Sequence, residues 1–433
     1  SPMDDTPASK VGLRAGDRIM FIDGTDTKGM SIKDASKYLR GKEGTKVVLK
    51  IKRIGSEELL KFSLTRKNIN VRNIPFSAVM DNGIGYIKLT QFTATSYYNF
   101  VNEFEKLVFN GASSLIVDLR FNPGGLLQSA VKLCSVFLPE DKVVVYTRGR
   151  GDNINGEYTT YLTPLDTEIP IVVLVNGSSA SASEIFAGSL QDHDRAVIIG
   201  EPTFGKGLVQ QLFDVGNLKK RNLKMTVRKY YTASGRLIQK DDIFKDNEQN
   251  GNDTLFYNTL VNKRKVPTGM GIIPDVLVEP VRIPEYIVSL KMNNYFNDFL
   301  YYFLEKVPGH TYEGYVDDKM MESFGSYLER EGFNYKSKSE ILADSLLNRA
   351  EAEDHSEEII KNIKKAVESF KTAADKDFNE YSDEIKKNLN TEFSVYYFGN
   401  REKYKISNEF DPVVRKAVEI LMDKNKYQTI LGY

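Results

Sequence analysis

The sequence predicts an α/β protein in three parts: a small unit over residues 1–68, a sheet-centred core over residues 69–280 and a helical region over residues 281–433. Three observations predict it. Between Gly85 and about Ile238 the apolar runs YIKL, LIVDL, VVVYT, IVVLV, AVIIG and LKMTVRKYY alternate with helix-like segments, as a substantially buried sheet requires. The opening seventy residues carry a separate turn, strand, helix and strand. Beyond about Pro280 the texture turns to long amphipathic stretches rich in Lys, Glu, Tyr and Phe.

Length and charge set the outer bounds. A chain of 433 residues exceeds what one hydrophobic core supports, so two or three domains are expected. The 59 Lys+Arg and 59 Asp+Glu cancel, which removes any global field that would draw in nucleic acid or an anionic membrane. Partners must be recognised locally. Cys134 is the single cysteine and there are three histidines, so no intramolecular disulfide, cysteine-based zinc site or histidine-rich metal centre is expected. No apolar run reaches the about 18 residues of a spanning helix, and SPMDDTPASK has no h-region. The expectation is a cytosolic protein or a chain whose targeting segment has been lost.

In the first unit, GLRAGDRIMFIDG places a Gly-rich turn before a strand from Ile19 to Ile22, followed by a helix from Ile32 to Leu39 and a strand from Val47 to Lys52. In the core, a strand from Leu115 to Leu119 ends in Asn122-Pro123-Gly124-Gly125. Successive glycines let backbone N–H groups point into a cavity, as an oxyanion hole needs, although an ordinary turn before the helix of Cys134 fits as well. Farther on, a strand from Ile171 to Val175, an Asn176-Gly177 turn, a serine cluster and a helix from near Ala182 have the order of a nucleophile elbow. Ser181 and Glu184 also satisfy the S-x-x-E pattern of a capping box.

GEPTFGKGLVQ, from Gly200 to Gln210, has the glycine and lysine spacing of a phosphate-binding loop, with Gly207 where the magnesium-binding hydroxyl should follow. LVQQLFDV, which comes next, alternates like a strand and supplies no exit helix to close around phosphate. Nucleotide binding is therefore disfavoured, and Lys206 reads instead as a general base: an ammonium partly withdrawn from water yields the neutral amine. Lys240–Pro267 is polar, with Asn-Gly and Asn-Asp turns, and is expected to be an exposed loop. From Ile359, apolar Ile363, Val367, Phe370, Ala374, Phe378, Tyr381, Ile385 and Leu389 predict one continuous helical stripe, packed within a bundle or, second, against another copy.

Taken together, DLRFNPGG (118–125), SASASEI (179–185), LQDHDRAVIIGEPTFGKGLVQ (190–210), KYYTASGR (229–236) and GIIPDV (271–276) resemble the carboxyl-terminal processing, or tail-specific, proteases. The resemblance runs from near Pro7 to about Pro280 and implies a serine endopeptidase with a Ser-Lys dyad. It makes Ser181 the nucleophile, Lys206 its base and Gln210 the residue that positions the lysine. The Ala182 N–H becomes half of the oxyanion hole, and Gly124 or Gly125 the other half. No metal or cofactor enters. Implied too are an α/β core similar to the crotonase and Clp protease group, and a PDZ domain that captures the C-terminal tails of protein substrates, carried here by ASKVGLRAGDRIMFIDG and YLRGKEGTKVVLKIKR. The PDZ strand and carboxylate-binding loop that the family places upstream fall outside this chain. A periplasmic or cell-envelope location follows from the same resemblance, and the C-terminal helices are left for self-association or an adaptor. His193, His310 and His355 receive no role, with His193 expected at the surface; Cys134 is expected to be packed. Two rival readings keep the elements and change the chemistry: a crotonase-like enzyme using the glycine pair on an acyl-CoA thioester, and a catalytically silent PDZ and helical scaffold.

Overall fold

The computed structural model describes residues 2–433 apart from 3–5, 15, 55, 70–71, 150–154, 215–221, 241–254, 280–282 and 375–376. The chain divides into two compact units, one of residues 1–70 with 282–407 and the other of residues 71–281 with 408–433.

In the first unit, α1 (Pro7–Lys10), β1 (Arg18–Ile22), β2 (Thr25–Asp26), α2 (Ile32–Leu39), β3 (Lys46–Lys52) and β4 (Leu60–Thr65) form an antiparallel sheet in the order β2-β1-β3-β4. Alternation in β3 sends Val47, Leu49 and Ile51 inward against Ile22 and Leu64, while its lysines face out.

The second unit carries β5 (Phe76–Val79), β6 (Ile84–Lys88), α3 (Ser96–Phe109), β7 (Ser114–Asp118), α4 (Leu127–Cys134), β8 (Val143–Gly149), β9 (Gly156–Thr159), β10 (Ile171–Val175), α5 (Ala182–Asp192), β11 (Val197–Gly200), β12 (Leu208–Asp214), β13 (Asn222–Thr232), β14 (Phe256–Asn258), β15 (Lys265–Pro267) and β16 (Val276–Leu277). Six strands in the order β16-β11-β10-β7-β6-β5 make the main sheet, parallel except for the β5–β6 hairpin. Every residue of β7, β10 and β11 is buried, which explains their unbroken apolar runs. Strands β12-β13-β8-β9 form a second, antiparallel sheet. Lys240–Pro267 is not loop throughout, because β14 and β15 pair antiparallel within it; residues 241–254 of the segment lie outside the described residues.

The first unit resumes as α6 (Glu285–Met292), α7 (Tyr295–Lys306), α8 (Asp318–Arg330), α9 (Lys338–Ala352), α10 (Glu357–Ala374), α11 (Asp377–Glu380), α12 (Ser382–Phe398) and α13 (Asn400–Phe410). Its core is largely aromatic, with Phe299, Phe324 and Phe393 fully buried. The expected continuous stripe is divided. Ile385 and Leu389 enter this core from α12, whereas α10 pairs with α9 and leaves Ile359 and Phe370 exposed. Periodicity gives the facing of each helix but not the break between them.

Helices α14 (Pro412–Met422) and α15 (Lys424–Leu431) correct the expectation of one helical region from 281 to 433, because they belong to the unit of the main sheet. Val413, Val414, Ala417 and Ile420 are buried, and α14 packs against β10 and β11. Tyr427 Oη accepts the Ile171 N–H at 2.9 Å at the start of β10.

Candidate active site

Parallel strands deliver their following loops to one sheet edge, where α/β folds place their chemistry. The Asn-Pro-Gly-Gly loop follows β7, the serine turn follows β10 and the Lys206 loop follows β11.

Ser181 is the N-cap of α5 and adopts φ 56°, ψ −114°, a conformation that costs a non-glycine residue energy and persists only when its surroundings impose it. The imposing contacts are visible. Ala180 N–H donates to the Asn122 carbonyl at 3.1 Å, Ser179 Oγ to the Leu119 carbonyl at 2.9 Å, and Ser183 Oγ to the Asn122 carbonyl at 3.0 Å. The serine turn is thereby fastened to the glycine loop on both sides of Ser181.

The glycine loop leaves little freedom either. Asn122, fully buried, donates to the Leu89 carbonyl at 2.9 Å and accepts the Gly124 N–H on Oδ1 at 2.9 Å. A methyl group on Gly124 would stand 2.4 Å from the Ala180 carbonyl oxygen and 2.8 Å from both Ala182 N and Ser181 Cβ, so the site requires glycine there. Phe92 brackets the next residues: its N–H donates to the Gly124 carbonyl and its carbonyl accepts the Leu126 N–H, both at 2.9 Å. Among the described residues no acceptor takes the N–H of Gly125 or of Ala182. Gly125 is exposed, and the Ala182 N–H is one of the donors that a helix start leaves open.

Glu184 supplies the bond between serine and lysine that sequence reasoning gave only as half a capping box. Its fully buried carboxylate accepts Ser181 N–H at 2.8 Å and Lys206 N–H at 2.9 Å on one oxygen, with Gly205 N–H at 2.7 Å and Thr203 Oγ1 at 2.6 Å on the other. Burial raises the carboxyl above its ordinary value, and these four donors work against that rise. From β13, the buried phenol of Tyr230 donates to the Lys206 carbonyl and faces the Ser181 hydroxyl; burial, and then the Glu184 charge, hold it protonated. Sequence reasoning gave Glu184 no part in the site beyond that cap and did not single out Tyr230, although both lie inside the quoted SASASEI and KYYTASGR segments.

Backbone is thus shared, while side chains remain apart: no hydrogen bond joins Ser181 Oγ to Lys206 Nζ, and among the described residues none holds the Lys206 ammonium. Gln210 stands on β12 opposite Thr226, beyond a bulge after Val209, is exposed, and makes no hydrogen bond to Lys206. His193 departs from the expected surface position. It is half-buried at the end of α5, with Nε2 2.8 Å from the Val143 carbonyl, and burial lowers its pKa. Cys134 is fully buried, its thiol pushed up to about 12 by burial.

Other quoted segments support the site from behind. Asp192 pairs with Arg236 and accepts the Ser234 N–H at 2.8 Å, while Ile272 N–H donates to Thr203 Oγ1 at 2.7 Å, so KYYTASGR and GIIPDV brace α5 and the lysine loop.

Three family models match parts of the chain. Residues 83–248 match Peptidase family S41, residues 1–53 match the PDZ domain, and residues 286–421 match the family described as "Probable PDZ-protease, C-terminal helical domain". The carboxy-terminal-processing protease of Bartonella bacilliformis is 37% identical over 297 residues, which cover 67% of this chain and 61% of that protein. The carboxyl-terminal-processing protease of Synechocystis sp. is 40% identical over 255 residues, 57% of each chain. The chain therefore spans about three-fifths of the length of these relatives. Among solved structures, the photosystem II D1 C-terminal processing protease is 29% identical with a TM-score of 0.38, covering 66% of this chain and 68% of that one.

Proposed function

Since its central domain belongs to peptidase family S41, a family of C-terminal processing serine proteases, we propose that this chain is a serine endopeptidase working through Ser181 and Lys206. The observation that carries the reading is the Glu184 carboxylate, which holds the N–H of a conformationally forced serine and the N–H of the lysine on one oxygen atom.

In the reaction, the neutral Lys206 amine takes the Ser181 hydroxyl proton as Oγ bonds to a peptide carbonyl carbon. Negative charge collects on the carbonyl oxygen, where the N–H groups of Ala182 and Gly125 receive it. Gly125 is chosen over Gly124 because the Gly124 N–H is already committed to Asn122 Oδ1. Collapse expels the amine with the proton from Lys206 and leaves an acyl-serine, which water, deprotonated by the same lysine, then hydrolyses. The Ser181–Lys206 hydrogen bond forms as substrate enters, in line with catalytic contacts that tighten only in the Michaelis complex. Gln210 turns toward the lysine in that step.

The substrates are proteins, presented by their C-terminal tails through the PDZ unit, in the periplasm or cell envelope. A fluorophosphonate probe is expected to label the wild type and not Ser181→Ala. Arginine keeps its proton in proteins, so Lys206→Arg is expected to be as inactive as Lys206→Ala. Peptidase turnover by a folded Lys206→Arg variant would remove Lys206 as the base, and an unlabelled, inactive wild type would remove the peptidase reading.

A further inference from the structure

The loop that carries Gly125 has a further anchor at its start, beside the Leu89 and Phe92 contacts. At the end of β7, Asp118 is fully buried and accepts the Arg120 N–H at 2.8 Å, Arg120 Nε at 3.0 Å and Arg120 Nη2 at 2.7 Å. Tyr86 Oη donates to the same carboxylate at 2.6 Å, and Lys88 Nζ lies 3.0 Å from it. Lys88 Nζ also donates to the Arg120 carbonyl at 2.9 Å, so both backbone groups of Arg120 are fixed. Burial alone would raise the Asp118 carboxyl, but the Arg120 and Lys88 charges outweigh it and keep it ionised.

The remaining guanidinium nitrogen, Arg120 Nη1, reaches Asp411 Oδ2 at 2.6 Å. Asp411 is the N-cap of α14, and its other oxygen accepts Val413 N–H at 2.9 Å and Val414 N–H at 3.4 Å. One carboxylate thereby starts the returning C-terminal helix and balances the second positive charge of the Lys88 and Arg120 pair that flanks buried Asp118. Past Arg120, Phe121 N–H donates to Asn176 Oδ1 at 2.9 Å, and the Asn122 and Phe92 contacts hold the backbone to Leu126.

Resting on the peptidase reading, we infer that Asp411 and Arg120 are positioning residues for the oxyanion hole, which makes α14 a working part of the catalytic domain. A small displacement of a preorganised donor is felt mainly in the transition state, where the oxyanion charge develops, so the effect belongs in kcat.

The test uses the full chain. Asn caps helices about as well as Asp, so Asp411→Asn keeps the start of α14 and removes only the charge that faces Arg120. The expected result is a kcat lower by roughly tenfold to a hundredfold, as displacement of a catalytic group far from the chemistry can produce, with KM within about twofold. Fluorophosphonate labelling of Ser181 should slow by the same factor, and Asp411→Glu should recover part of the rate. Arg120→Gln with Asp411→Asn should be no worse than Arg120→Gln alone, because the two act through one contact. Wild-type turnover by Asp411→Asn, a loss confined to KM, or additive losses in the double variant would overturn the inference while leaving the peptidase reading in place. An inactive wild type would instead count against that reading.

Discussion

Glu184 decides more than its neighbours at the scale of single residues. An ionised carboxylate only accepts, and four donors converge on this one, whereas an amide offers one oxygen and turns an NH2 toward two of them. Glu184→Gln is therefore expected to lose about 2–5 kcal/mol in urea denaturation, from two buried donors left unmatched, along with most of its turnover. The pH dependence follows from the raised carboxyl. Between its ordinary value of 4.5 and its higher native value, the folded chain binds more protons here than the unfolded chain, so protonation does not destabilise the fold through this group. Protonation does remove acceptor capacity from the Ser181 and Lys206 amides. On acidification, turnover should fall at a pH above 4.5 while the melting temperature holds; parallel loss of both would sink the assignment.

Elements show where a period in the sequence stops being informative. Leu389 on α12 is fully buried, whereas Phe370 on α10, three positions on in the same stripe from Val367, is 39% exposed. Leu389→Ala should cost about 2–5 kcal/mol of stability. Phe370→Ala should stay within about 0.5 kcal/mol. Equal losses, read by denaturant titration, would show that the α10 stripe is covered after all. The strand and helix assignments of the core were legible because each element there has an uninterrupted pattern: β7, β10 and β11 are apolar at every position except Ser114, Asp118 and Gly200, and α5 begins at the serine cluster. The β14–β15 hairpin was not legible, since three-residue strands are too short to establish a period.

For the molecule as a whole, the return of residues 408–433 to the main-sheet unit carries the largest consequence. A chain ending at residue 407 would expose the β10 and β11 surface covered by α14, and would lose Val413, Val414, Ile420 and Leu431 from the interior. At about 1.5–3 kcal/mol per buried side chain, the loss is on the order of 6–12 kcal/mol. That is comparable with the roughly 5–15 kcal/mol by which whole domains are stable. Truncation there should abolish cooperative unfolding of the core as well as activity, followed by calorimetry and fluorophosphonate labelling. A well-folded, active truncation would mean that the tail only decorates the sheet.

By itself the sequence determined the local vocabulary of this protein: which runs become strands, and that the loops after β7, β10 and β11 carry the Gly124-Gly125 pair, Ser181 and Lys206. Strand period, turn chemistry and helix capping act over a few residues, so a linear reading reaches them. Only the tertiary structure decided that one carboxylate would serve both the serine and the lysine loops, that Tyr230 would close over Lys206, and that Asp411 would meet Arg120 across 291 positions of chain. A buried charge or polar group has to find its partner wherever packing brings one within hydrogen-bond reach, and sequence separation carries no record of that distance.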